Sequence, residues 1–121
     1  METLTAPTAY QFCKVYFSDM LVLEKIFTEN YTPQKAISKD FGIPFLLLKE
    51  ENKIVAFASV ILNTANVSDF TIYSNGAVAA TTQSAFYDKA RQIFNSSELD
   101  PYKNPAHLQI SINRLLNWIN P

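Results

Sequence analysis

The chain has 121 residues, a formal net charge of −1, 48% hydrophobic residues and 17% charged ones. That length suits one domain, read here as residues 1–121, and it can bury a core without a disulfide staple. The balanced charge excludes the broad basic field that holds nucleic acid, and the single cysteine, Cys13, excludes an intrachain disulfide.

The start, METLTAPTAY, lacks the basic stretch and apolar run of a secretory leader. Runs such as IVAFASVIL are far shorter than a membrane span. These features predict a cytoplasmic protein with neither a membrane nor a nucleic-acid partner.

Residues 8 to 30 contain neither proline nor glycine. Phe12, Cys13, Val15, Tyr16, Met20, Leu23, Ile26 and Phe27 fall on one side at 100° per residue, with Gln11, Lys14, Ser18, Lys25 and Glu29 opposite. That periodicity predicts a long amphipathic helix. The competing reading is a strand over 10 to 17 followed by a helix from Asp19. YTPQKAISKDFG predicts a short second helix, with Thr32 as cap, Pro33 in the first helical position and Gly42 as stop.

Three strands are expected next, IPFLLLKE, NKIVAFASVILN and NVSDFTIYS. The first two flank a hairpin-like turn at Glu50, Glu51, Asn52 and Lys53. The second is apolar on both faces and so requires cover on both sides of the sheet. A helix over 78 to 95 follows, with Phe86, Ala90, Ile93 and Phe94 as its apolar side, and then a loop, NSSELDPYKN. The last segment reads as a helix capped by Asn104 with Pro105 in its first turn, although HLQISI at 107–112 also alternates like a strand. The fold class expected is α+β, a central antiparallel sheet of at least three strands flanked by helices.

Chemistry-bearing residues are sparse. His107 is the only histidine, so no metal site is expected. No nucleophile elbow or glycine-rich phosphate loop is present, the only glycines being Gly42 and Gly76. Asp69 and Asp88 are a weak carboxylate pair, and Tyr73, Tyr87 and Tyr102 are conceivable proton donors. The strand-to-helix junction at SNGAVAAT is the feature that suits a ligand. Free N–H groups near Gly76, Ala77 and Val78 would accept an acyl carrier or another anion, with Thr81 and Thr82 as hydroxyl donors or a local cap. Trp118 and Tyr102 are plausible interface anchors.

FLLLKEENKIVAFASVIL resembles the second and third strands of the GCN5-related N-acetyltransferase superfamily, NVSDFTIYS its fourth strand, and VAATTQSAFYDKARQIF the helix after it. The resemblance covers about residues 15 to 95. It implies an acyl-CoA N-acyltransferase-like fold that transfers an acyl group to an amine. Acetyl-CoA or another acyl-CoA would be the ligand, with Ile72 and Tyr73 beside its thioester arm. Where that family carries an Arg/Gln-x-x-Gly-x-Gly/Ala turn, this chain has SNGAVAAT, with no arginine and one glycine, so the phosphate-binding motif is absent. The family's late strand, tyrosine-bearing helix and closing hairpin are absent or abbreviated, so the fold is shortened at its C-terminus and no catalytic residue is assigned. A sheet edge left open by that shortening points to a homodimer. The alternative is a non-catalytic interaction protein that pairs through a sheet edge or the C-terminal helix.

Overall fold

A computed structural model describes residues 10–31, 38–76 and 78–120 of the chain. It is an α+β fold in which four antiparallel strands run in the order β1-β2-β3-β4, with helices on both faces. The strands are β1 Tyr10–Cys13, β2 Ile43–Glu50, β3 Lys53–Leu62 and β4 Ser68–Ser74. The helices are α1 Met20–Tyr31, α2 Ala80–Phe94 and α3 Pro105–Ile119. Among the described residues no helix is long and apolar enough to cross a membrane.

β3 organises the rest. Val55, Ala56, Phe57, Ala58, Ser59 and Val60 are all buried, so both of its faces are covered. Leu47, Phe57 and Tyr73 face α1, where Met20, Leu23, Ile26 and Phe27 close one core. Leu48, Ala56 and Ala58 face α2, where Phe86 and Ala90 close a second. α3 seals the end of the sheet. Leu108 and Ile112 pack with Val60 and Leu99, and Leu115 and Ile119 reach the α1 core.

The sequence around Tyr10 resolves in favour of the strand rather than the long helix. Tyr10 to Cys13 pair with Glu50 to Leu47. Phe12 then stacks on Phe86 of the α2 layer, at a ring separation of 5.8 Å, while Cys13 packs against the α1 core. A segment buried on alternate sides leaves apolar residues all round, and four residues are too few to separate a period of 2 from one of 3.6. The helix starts only at Met20, after a 3-10 turn over Phe17–Asp19 in which the Asp19 carboxylate accepts the Tyr16 N–H at 2.9 Å.

The short helix expected before β2 falls largely on residues 32–37, outside the described residues together with Thr32, Pro33 and Lys35. Lys39–Phe41 forms one 3-10 turn, closed by Gly42. The expected final helix is present, with Asn104 Oδ1 accepting the N–H groups of Ala106 and His107 at 2.9 and 3.1 Å. The loop before it contains a 3-10 helix over Ser97–Tyr102, which buries Leu99.

The connections explain the register. β2 and β3 are joined by Glu51 and Asn52, with φ of 51° and 68°, the pairing of a tight type I′ hairpin. Pro44 lies opposite Ser59, beyond the last β1 partner at Leu47, so its missing N–H costs no ladder bond there. Phe45 is the extra residue of a bulge between Pro44 and Leu46. In the β3–β4 loop, Asn63 Oδ1 accepts the N–H groups of Ala65 and Val67 at 2.9 and 3.1 Å.

Two substitutions test this framework. Gly42 has φ +68°, and a Cβ there would stand 2.3 Å from the Val60 carbonyl oxygen. Gly42→Ala is expected to lower unfolding free energy by more than about 2 kcal/mol in urea titration, because strain and a backbone clash add. Replacing Glu51-Asn52 with Asn-Gly is expected to raise it by about 1 kcal/mol, since those residues hold positive φ more readily than glutamate.

Candidate functional site

The β4–α2 junction borders an open cleft of about 490 Å³. Its floor is one row across the sheet. Leu48 is paired with Ala56, and Ala56 with Ser74, and Ile72 lies beside them. The small side chain of Ala56 leaves the depth. Val78, Ala80, Gln83, Ser84 and Tyr87 form the wall, and Phe86 closes the inner end. Ala80, Ser84 and Tyr87 recur at spacings of 4 and 3, so they share one face of α2.

The ladder sets which β4 amides turn toward this cleft. The N–H of Asn75 bonds the Val55 carbonyl at 3.0 Å, and the N–H of Asn63 bonds the Val67 carbonyl at 3.0 Å. Antiparallel pairing alternates, so the β4 residues opposite Phe57, Ser59 and Ile61, namely Tyr73, Thr71 and Asp69, bond β3. Phe70 and Ile72 therefore direct their backbone groups outward, along an edge that has no further strand among the described residues. The Asp69 carboxylate takes the Phe70 N–H at 2.8 Å. The Ile72 N–H and C=O are left facing outward beside the cleft.

The start of α2 is also open. Ala79 stands at the N-cap and has no side chain to cap with, and the first turn carries no acidic residue. The expected cap from Thr81 or Thr82 does not form, because both residues are inside the helix, with Thr82 buried. The first intrahelical bond runs from the Gln83 N–H to the Ala79 carbonyl at 2.9 Å. Hydrogen-bond donors are thus presented at the helix's positive end.

The expected site residues divide. Ile72 and Val78 line the cleft. Gly76 has φ +88° and open space around it, and it is not one of the lining residues. Ala77 lies outside the described residues. The Tyr73 side chain belongs to the opposite face. Its ring meets Phe27 and Phe57 at 5.1 and 5.3 Å, and its hydroxyl donates to the Asp40 carbonyl. Leu48, Gln83 and Ser84 carry no local signal of a site, because the first enters through strand register and the others through helix phase.

The remaining candidates do not converge. Asp69 shares the strand parity of Tyr73, away from α2, and Asp88 is an exposed partner of Arg91 at 3.6 Å. His107 is exposed in the first turn of α3. Among the described residues no cluster of His, Cys, Asp or Glu could hold a metal ion. Tyr87 lines the cleft with its ring fixed between Phe70, at 5.3 Å, and the Arg91 guanidinium, at 5.7 Å. Among the described residues the lining holds hydroxyls from Ser74, Ser84 and Tyr87 and the Gln83 carboxamide, but no carboxylate, imidazole, ammonium or guanidinium group. These described groups can bind and orient a polar, elongated molecule, and none of them accepts a proton near neutral pH.

The division of Ile72 from Tyr73 is directly measurable. Tyr73→Phe is expected to cost about 1 kcal/mol in stability through its lost hydrogen bond, while leaving ligand binding in the cleft unchanged within error. A search against protein families, curated proteins and solved structures found no match to this chain.

Proposed function

We propose that the chain is an acyl-CoA N-acyltransferase-like protein whose β4–α2 cleft takes the acyl-pantetheine arm of an acyl carrier. The observation that carries this reading is the outward-facing Ile72 amide over the Leu48–Ala56–Ser74 row, beside an uncapped helix start. An extended arm with amide groups matches a strand edge, since it can exchange N–H···O=C bonds as another strand would. The order β2, β3, β4 and then α2 supports the same reading, because it follows the second to fourth strands and the helix after them that the resemblance implies.

The described lining residues suit the neutral arm and supply no cation for the carrier's phosphates. Transfer would form a bond between an amine nitrogen and the thioester carbonyl carbon, break the C–S bond, and pass the amine's proton to the departing sulfur. Donors along Ile72 and the α2 start would hold the carbonyl oxygen as charge grows on it. The outward-facing β4 edge, with no further strand among the described residues, supports a second reading, a non-catalytic protein that pairs through that edge or the C-terminal helix.

Isothermal titration with acetyl-CoA, longer acyl-CoAs and acetyl-pantetheine tests the binding. Saturable heat is expected, with acetyl-pantetheine within about fivefold of acetyl-CoA because the phosphates find little in the cleft. Ser84→Trp, which fills the wall from an exposed position, is expected to weaken binding by about tenfold or more. No saturable signal from any carrier contradicts the proposal. Binding without release of free thiol in the presence of amines supports the non-catalytic reading.

A further inference from the structure

The largest exposed apolar side chains gather away from the cleft, where the start of α1 meets the end of α3. Tyr16, Phe17, Leu21 and Trp118 are 64%, 74%, 79% and 57% exposed. The Phe17 and Trp118 rings lie 5.4 Å apart, and Leu21 follows Phe17 by one helical turn. Together they form a projecting wedge. Tyr16 and Phe17 also line an adjoining groove of about 460 Å³, together with Val15, Met20, Ile43, Pro44, Tyr102 and Leu115.

We infer that this face is a two-fold interface between two copies of the chain, the wedge of each seated in the groove of the other. A two-fold interface uses one patch twice, so the patch must be its own complement. A projection beside a hollow meets that condition, whereas a different protein would have to supply both shapes. The charges are arranged in the same sense. Arg114 stands at the groove with no ion pair among the described residues, and Glu24 lies on the wedge helix, three residues after Leu21. Burial pushes the Glu24 carboxyl above its ordinary range, a cost that a cation from a second copy would offset. The four wedge side chains expose roughly 500 Å², taking about 200 Å² for an aromatic side chain and somewhat less for leucine. With the rest of the groove this falls short of the roughly 800 Å² per partner of a standard interface, which suits a weak, micromolar dimer.

Sedimentation velocity on the full chain, up to about 200 μM, tests this and captures dissociation constants in the micromolar class. A concentration-dependent monomer–dimer equilibrium is expected. Leu21→Glu and Trp118→Ser should each weaken it by about tenfold or more, while Tyr87→Ser, an exposed aromatic of the other face, should leave it unchanged. Arg114→Glu should weaken association, and adding Glu24→Arg should restore much of it. A monomer throughout the range, or a dimer indifferent to both wedge variants, overturns the inference. If circular dichroism shows a wedge variant unfolded, the charge exchange decides: recovery supports the interface, and no recovery overturns it.

Discussion

The burial of β3 on both faces is the constraint from which the rest of the architecture follows. Six consecutive residues from Val55 to Val60 are removed from water, and their backbone groups must be bonded on both sides. β2 and β4 supply those bonds, α1 and α2 supply the two faces, and α3 closes the end that they leave open. The hydroxyl of Ser59 is the exception in this strand, fully buried with no hydrogen bond.

The same arrangement leaves β4 as an edge. Covering a sheet from above and below does nothing for its outermost strand, and after Ser74 the chain departs into a helix instead of another strand. Asp69 blunts one edge amide and leaves the next, at Ile72, beside an open cleft. The apolar wedge and groove belong to a different part of the molecule. They flank Ile43 and Pro44, toward the start of β2, whereas the cleft floor uses Leu48, about 13 Å further along the strand. Two copies joined at the wedge would leave the cleft accessible, so the proposed ligand binding and the proposed self-association can be tested separately.

Much of this was legible in the sequence because local chemistry and tertiary demand agree. The apolar runs of β2 and β3, the turn at Glu51 and Asn52, and the Asn104-Pro105 start of α3 each carry a local signal matched to the final structure. β1 was not legible as the favoured reading. Its four residues become a strand only because β2 offers an edge and both faces are already roofed, which no window of sequence contains. The site shows the same limit. Ile72 and Val78 follow from their place at a strand-to-helix junction. Leu48 and Ala56 enter only when strand register aligns them with Ser74, and the turning away of Tyr73 needs the knowledge of which face holds α1.

The open edge beside α2 can be read most directly by amide hydrogen exchange, resolved residue by residue by NMR on the chain without added ligand. Thr71 and Tyr73, bonded into β3, are expected to exchange slowly, and Ile72 between them to exchange fast. Protection of Ile72 equal to that of its two neighbours would show the edge already bonded and would contradict this account of the cleft.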